Sequence, residues 1–574
     1  MKASDYIAEF LYQQGVTHVF ELVGGMIVHI LDSIHQAGKI NIVSVHHEQT
    51  AAFAADAFGR VTGVPGVAMA TGGPGATNLL TGIGSCFFDS SPAVFITGQA
   101  NRYELKGERN IRQQAFQETD IVSIARPITK GAWQVQKAED LPEMLRQAFA
   151  LALEGRPGPV LLDIPMDIQR TNIDVDTDNL RVTPQAETSG DLTARLDDLY
   201  AALEQAERPL MLVGGGVSAA RARESIRALA KQIGIPVINS LMAMDVMAYD
   251  DPLRVGMIGA YGNRWANLAI GRADLMLVIG SRLDIRQTGA KTEEFKGDRV
   301  FFQVDVEPLE MNNRVTGVHT IEAHITDFVA QAAAHYSDRG FKNHSTWIEE
   351  LQDLRAEWPD TRELSGVPGI NPNAFLHQLS QTSGAAGTFI SDVGQHQMWA
   401  GQSIEVRGDQ RFFTSGGMGS MGFSLPAAIG ATYATGKPVV VVAGDGGFQC
   451  NIQELQTVRR GNLPIKMVVI NNHAHGMVRQ FQESYFDSRF QSTVWGYDTP
   501  NFARVAEAYG IPGHSVSEPE QIEAALRWLW QDPNSPALLE VSVDTSANAY
   551  PKIAFGRPIY EMEPFFKPVE VEGT

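Results

Sequence analysis

The sequence predicts an α/β protein built from three parallel-sheet units, and three observations carry that expectation. Short β-branched runs alternate with longer helical stretches along the chain. Each run ends near Gly, Pro or Asp and leads into a helix, as at 67–70, 93–96 and 160–164. Two polar stretches, near 169–190 and 338–373, divide the 574 residues into three pieces of ordinary domain size. Parallel sheets of this type are buried on both faces and hold ligands beyond the C-terminal ends of their strands. The chemistry is therefore sought at strand-to-helix junctions. Whether the first and third units repeat one plan is not visible in the sequence.

The elements follow in order. Residues 1–15 form an amphipathic helix with Ile7, Phe10 and Leu11 on one side, not a signal peptide. A helix rich in alanine follows at 51–58, after Val45-His46-His47-Glu48. In the middle unit, Met211-Leu212-Val213 is a strand running into Gly214-Gly215-Gly216. In the third, 439–443 and 466–470 are buried strands separated by a helix at 452–460. The stretch after Pro551 is rich in Pro and Glu and reads as irregular.

Composition narrows the function. With 46 basic and 66 acidic residues the formal charge is −20, which argues against a nucleic-acid or anionic-membrane binder. Cys86 and Cys450 are too few for a disulfide framework, so a reduced, cytoplasmic setting is expected. No apolar run approaches the roughly 18 residues of a membrane helix.

The most specific signal lies in the third unit. The strand at 439–443 runs into Gly444-Asp445-Gly446-Gly447, and the strand at 466–470 ends in Asn471-Asn472. Asp445 and Asn472 are 27 residues apart. A carboxylate and an amide oxygen on neighbouring strand ends can share one hard cation, whose shell phosphate oxygens complete. Glycines let backbone N–H groups approach a diphosphate. Gly-Asp-Gly alone is a common turn; the pairing with Asn-Asn gives it meaning. His473 and His475 stand nearby, but a Mg²⁺ site completed by phosphates does not need imidazole.

This pair of motifs resembles the cofactor signature of thiamine diphosphate (ThDP, or thiamine pyrophosphate) enzymes. The resemblance implies that Asp445, Asn472 and the backbone carbonyl of Ala474 bind Mg²⁺. Glu48, otherwise read as a carboxylate favoured at a helix N-terminus, gains a role by the same likeness. In that family a Glu here hydrogen-bonds the aminopyrimidine ring and favours the tautomer that deprotonates the thiazolium.

Further segments are similar to one branch, the acetohydroxyacid (acetolactate) synthase-like enzymes. They include Thr71-Gly72-Gly73-Pro74-Gly75, Phe116-Gln117-Glu118, Asp392-Val393-Gly394-Gln395-His396 and Gly416-Gly417-Met418-Gly419-Ser420-Met421. The likeness covers about residues 5–545, in order. It implies a pyrimidine-binding domain over 1–175, a central Rossmann-like domain over 190–340, a diphosphate- and Mg²⁺-binding domain over 370–555, and a tail from 556 to 574. Gly394, Gln395 and His396 would line the diphosphate. Gly417, Met418, Gly419, Gly476 and Met477 would border the cofactor. Met421 would hold it bent. Gly24, Gly25 and Gln117 would face the reacting carbonyl. Because the family builds its site between subunits, a homodimer is the minimum assembly implied, with a homotetramer also open.

In the middle unit a glycine loop alone is weak evidence for a nucleotide. Together with Gly280-Ser281-Arg282-Leu283-Asp284-Ile285-Arg286 and Asp305, it resembles the FAD-binding domain of the same branch. Gly214, Gly215, Gly216, Arg282, Arg286 and Asp305 are the implied contacts, with ADP or no nucleotide as alternatives. The family's paired Asp before the Arg is Asp284-Ile285 here.

The resemblance implies decarboxylation of a 2-oxo acid, pyruvate by analogy, followed by transfer of the two-carbon unit to a carbonyl acceptor. The loop 99–118 has no histidine, unlike that of decarboxylases that release aldehyde, so carboligation is favoured. The acceptor side departs from the pattern. Phe481 stands where relatives carry Trp, and Leu22-Val23 precedes Gly24-Gly25 where they carry Tyr-Pro. A loop at 101–114 holds Arg102, Lys106, Arg109 and Arg112. These cations read either as a solvated face or as a site for an anionic acceptor such as a keto sugar nucleotide. A sulfoacetaldehyde acetyltransferase-type reaction and a non-catalytic paralogue are the remaining alternatives.

Overall fold

The computed structural model describes residues 1–183 and 189–569. Part of the first polar stretch and the end of the tail lie outside the described residues. In the first unit β1 (His18–Leu22), β2 (Asn41–Ser44), β3 (Gly66–Ala70), β4 (Ala93–Gln99), β5 (Gly131–Gln134) and β6 (Pro159–Pro165) form a parallel sheet, ordered β2-β1-β3-β4-β6-β5. The middle unit holds β7 (Pro209–Val213), β8 (Val237–Asn239), β9 (Arg254–Met257), β10 (Leu275–Ile279), β11 (Val300–Asp305) and β12 (His319–Glu322). Its parallel sheet runs β12-β11-β10-β7-β8-β9, the doubly wound nucleotide-binding order. The third unit holds β13 (Thr388–Ser391), β14 (Arg411–Phe413), β15 (Val439–Gly444), β16 (Ile465–Asn471), β17 (Gly513–Val516) and β18 (Ala537–Ser542), ordered β14-β13-β15-β16-β18-β17. That is the strand order of the first unit, so the two outer units share one plan.

Local chemistry explains the elements. β15 is a run of four valines, buried on both faces as a central parallel strand must be. The first helix, Ala3–Gln13, buries Ile7, Phe10 and Leu11. The helix expected at 452–460 begins instead with a 3-10 turn, Ile452–Glu454, before the Leu455–Gly461 helix. Glu454 is buried there, accepting from the His46 amide at 2.9 Å and from the Thr457 hydroxyl at 2.6 Å.

The tail after Pro551 has little regular structure, as its composition suggests, but it carries one short strand pair and packs on the middle unit. β19 (Lys552–Ile553) and β20 (Met562–Glu563) pair antiparallel. The Ile553 amide donates to the Ala260 carbonyl at 2.8 Å, and Arg264 donates to the Glu563 carbonyl at 3.0 Å. Ile553 and Ile559 join the core of the middle unit. Buried Ile553, Ile559 and Met562 outweigh the polar composition of the segment. Among the described residues no helix is long and apolar enough to cross a membrane.

The outer units are joined by two helices of small residues, Glu48–Thr62 and Ser424–Thr435. A Cβ on Gly430 would lie 2.0 Å from the Ala54 carbonyl oxygen, so the backbones touch there. Phe53 and Phe423 meet edge to face at 5.3 Å beside them. Arg60 closes the contact from the same helix. It binds Asp56 at 2.6 and 3.0 Å, Asp89 at 3.1 Å and the Thr414 carbonyl at 3.0 Å. Asp89 in turn accepts from the amides of Gly416 and Gly417, fixing the loop that leads to Met421.

Gly430→Ala is expected to force the helices apart at a cost of about 1–3 kcal/mol, typical of overpacking. A lowered first thermal transition by calorimetry would show it; an unchanged midpoint would mean that the contact is not tight.

Candidate active site

β15 and β16 pair with Gly444 opposite Ile470, so Asp445 and Asn472 leave neighbouring strand ends on the same edge. β13 pairs with β15 and delivers Asp392 and 394–396 to that edge as well. This is where the strand order reverses, the usual crevice of an open parallel sheet.

Asp445 is buried, and burial pushes its carboxyl up to about 6. Oδ1 accepts from the Gly446 amide at 3.0 Å, while Oδ2 is buried with no partner in bonding geometry, the Tyr497 hydroxyl being the nearby polar group that acts on the carboxylate. A buried carboxylate oxygen left in this state is costly and suits a cation. Asn472 donates from Nδ2 to Gln395 Oε1 at 2.9 Å and accepts at Oδ1 from the Ala474 amide at 3.2 Å. Gln395 donates to Gln480 at 3.1 Å, and Gln480 donates to the Ala549 carbonyl at 3.1 Å. This chain of amides fixes which way Asn472 faces. Only glycine fits at 476, since a Cβ there would lie 2.0 Å from Gln395 Oε1. Met477 follows it, half-buried.

His396 is buried, and burial pushes its imidazole down to about 4. Its Nε2 has no partner. Cβ atoms on Gly394 and Gly444 would each lie 2.6 Å from the ring. On Gly446 a Cβ would lie 2.9 Å from His475, and on Gly447 it would lie 2.3 Å from Asp392. The expected cradle is thus one in which side chains are excluded. Among the described residues no three His, Cys, Asp or Glu side chains gather in a metal-binding group. The cation reading therefore rests on Asp445, Asn472 and a backbone carbonyl.

Asp392 is the residue that sequence reasoning quoted without a role. It accepts at Oδ1 from the Val393 and Gly422 amides, both at 2.9 Å, and at Oδ2 from the Ser424 amide at 2.9 Å and hydroxyl at 2.7 Å. It therefore holds the loop containing Met421 against the start of the Ser424–Thr435 helix. Gly419, at φ +66°, lets that loop turn. An Asp directly after a buried strand, before Val-Gly, was the available signal. Met421 is 39% and Met418 43% exposed.

The first unit presents the other residues on the C-terminal edge of its own sheet. Glu48 opens its helix, is 6% exposed, and accepts at Oε2 from Asn78 at 2.9 Å. Gly24 packs against Thr71, where a Cβ would lie 2.4 Å from the threonine Cβ, whereas Gly25 faces open space. Gln117, at φ +59°, lies against Gly73. The Glu48 bond to Asn78 and the Asp445 bond to Gly446 each stay within their own unit. Phe481 is half-buried and packs on Tyr485 at 4.8 Å. In the cationic loop Arg102 is committed to Asp167 at 2.7 Å, and Glu118 gathers the amides of Lys106, Gln114 and Ala115. Arg109 and Arg112 are exposed.

A cavity of about 680 Å³ lies between the three units. Gly215, Gly216, Arg282, Arg286 and Asp305 line it, at the point where the middle sheet reverses order between β7 and β10. Gly417, Met418 and Gly419 of the third unit line its far part. Gly214 lies behind the wall, where a Cβ would be 2.1 Å from the Gly280 carbonyl. Burial raises the Asp305 carboxyl. The residue signals at 261 and 324–327, which also face this cavity, were not found from sequence because they carry no motif.

Comparison with known proteins agrees along the chain. Residues 1–124 match the N-terminal TPP binding domain of thiamine pyrophosphate enzymes, 196–332 their central domain, and 392–541 their C-terminal TPP binding domain. Acetolactate synthase isozyme 2 large subunit of Escherichia coli (strain K12) is 35% identical over 568 residues, which is 98% of this chain and 99% of that protein. Acetolactate synthase large subunit of Parasynechococcus marenigrum (strain WH8102) is 36% identical over 97% of this chain and 90% of its own. Acetolactate synthase 2, chloroplastic, of Nicotiana tabacum is 36% identical over 100% and 85%. Three matched domains in order, with similarity to acetolactate synthases along the whole length, make the chain a member of the thiamine pyrophosphate enzyme family.

Proposed function

We propose that this chain is a Mg²⁺- and ThDP-dependent carboligase that decarboxylates pyruvate and joins the two-carbon unit to a second carbonyl compound, a reading that its similarity to acetolactate synthases supports. The observation that supports it most is the unpartnered, buried Oδ2 of Asp445 beside Asn472, within a cradle of glycines. Such a site fits a divalent cation carrying a diphosphate. Bound ThDP supplies an electron sink that lets CO₂ leave a 2-oxo acid.

The chain's own residues then have distinct tasks. Asp445, Asn472 and the Ala474 carbonyl would hold Mg²⁺, and Gln395, by accepting from Asn472 Nδ2, fixes which way the Asn472 oxygen faces. Gly394, His396, Gly444, Gly446, Gly447 and Gly476 would admit the diphosphate, while Met421 and Met418 would exclude water from the ring. Glu48 would hold a proton on the cofactor ring. Asn78 occupies its Oε2, which leaves Oε1 for that proton. Gly24, Gly25, Gln117 and Phe481 would border the acceptor.

A second copy of the chain is part of this reading. Val23 is 61% and Phe116 82% exposed, beside the first-unit residues named above. Large apolar side chains in such positions favour a protein partner, and a homo-oligomer would bring Glu48 of one copy to the cofactor of the other. FAD is proposed for the central cavity, whose size and glycine walls suit a dinucleotide, with no electron-transfer role in the net reaction. The setting proposed is the cytoplasm. A keto sugar nucleotide as acceptor stays as a second reading, because Arg109 and Arg112 are exposed on the loop beside Phe116.

Asp445→Ala is expected to abolish the rise in melting temperature that Mg²⁺ with ThDP gives the wild type, while the unliganded protein melts as before. An equal rise in both would remove Asp445 from the metal site. Incubation with pyruvate, ThDP and Mg²⁺ alone is expected to give CO₂ and 2-acetolactate by mass spectrometry. Slow CO₂ release with little acetolactate would instead point to another acceptor and to a screen of keto sugars. The purified protein is expected to show flavin absorption bands that Gly216→Val removes; a colourless wild type that takes up no added FAD would rule the flavin out.

A further inference from the structure

A second cavity, of about 400 Å³, shares no lining residue with the first. It sits where the middle unit meets residues leading into and out of the third. Three arginines converge there on one tyrosine. The guanidinium carbons of Arg254, Arg355 and Arg407 lie 5.0, 4.8 and 5.6 Å from the Tyr249 ring centroid. Pro252, Val255 and Leu351 add an apolar wall.

Two of the three arginines have no acid bonded to them. Arg254, on β9, is 6% exposed, yet its guanidinium makes no hydrogen bond or ion pair with the described residues. Arg355, on the Ser345–Glu357 helix, also makes none and rests on Tyr249 and Trp265. The neighbouring acids are already engaged. Glu405 takes Arg407 at 2.6 Å and His377 at 2.9 Å. Asp360 takes His377 at 3.0 Å and Ser403 at 2.6 Å. Asp251 pairs with Lys231 at 3.4 Å, and Asp250 with Arg407 at 3.4 Å. Two guanidiniums that share one ring and one cavity, with no acid bonded to either, favour an anion beside them.

Planar guanidiniums bind phosphate and carboxylate through paired N–H groups, and the aromatic and aliphatic walls suit an apolar body. We infer that this cavity is a second ligand site, for an organic anion whose phosphate or carboxylate head meets Arg254 and Arg355 and whose apolar part lies on Tyr249. Nothing in the mechanism proposed above uses these residues, so the inference stands apart from it.

The probes are phenyl phosphate, benzoate and neutral phenol, titrated calorimetrically into the full chain with ThDP, Mg²⁺ and FAD added in excess to fill the other sites. Saturable binding of phenyl phosphate or benzoate at one per chain is expected, with phenol at least 10-fold weaker. The stronger of the two anions identifies the preferred head group. Arg254→Met and Arg355→Met should each weaken that anion at least 10-fold. Arg355 is half-buried on a peripheral helix, so its variant tests the site even if Arg254→Met fails to fold. No saturable binding of either anion, phenol binding as tightly as they do, or unchanged affinity in Arg355→Met would overturn the inference.

Discussion

The close contact between the Glu48–Thr62 and Ser424–Thr435 helices is the constraint on which the rest depends. Backbone meets backbone at Ala54 and Gly430, so neither helix can shift without a clash or a void. Each helix begins at the C-terminal edge of its sheet. The first opens on Glu48 itself; the second opens on Ser424, held by Asp392. Fixing the helices therefore fixes both edges. Arg60 extends the same constraint by holding Asp56 and Asp89 in a buried group, and Asp89 holds Gly416 and Gly417. Packing far from the chemistry thus decides where Met418 and Met421 can lie.

The three sheets use one principle with two outcomes. In the outer units the order reverses beside the first strand, and Gly24 and Gly394 lie in the turns that follow β1 and β13. In the middle unit it reverses between β7 and β10, and the glycines after those strands open a longer crevice. Strand order, set by which helices cross which face, decides where each crevice opens.

Much of this was legible in the sequence. Uniform valine runs such as β15 can hardly be anything but central parallel strands, and Asp445 and Asn472 are legible because the two strand ends that bear them are adjacent. Glu48 was legible only through its companion motif, since a helix-opening carboxylate is otherwise commonplace. Asp392 was within reach but carries its meaning through donors 30 residues away, at Gly422 and Ser424. The chain from Asn472 through Gln395 and Gln480 to Ala549 spans four separate elements and has no local pattern. The packing of the tail was hidden for a related reason. Composition counts its prolines and glutamates, whereas its structure follows from Ile553, Ile559 and Met562, whose partners lie in the middle unit.

The distribution of the proposed site over two units has a structural logic of its own. Units one and three share a strand order and meet through one helix from each, so they stand as two similar bodies back to back. Each carries its candidate residues on a C-terminal edge, and each bonds them only from within its own unit: Asn78 to Glu48, Gly446 to Asp445 Oδ1. What neither edge covers is apolar, with Val23 and Phe116 on one and Met421 on the other. Covering those surfaces removes them from water at about 25 cal/mol per Å². In the proposed homo-oligomer, association and completion of the site would be the same event, and a chain alone would hold both halves of the chemistry while joining neither.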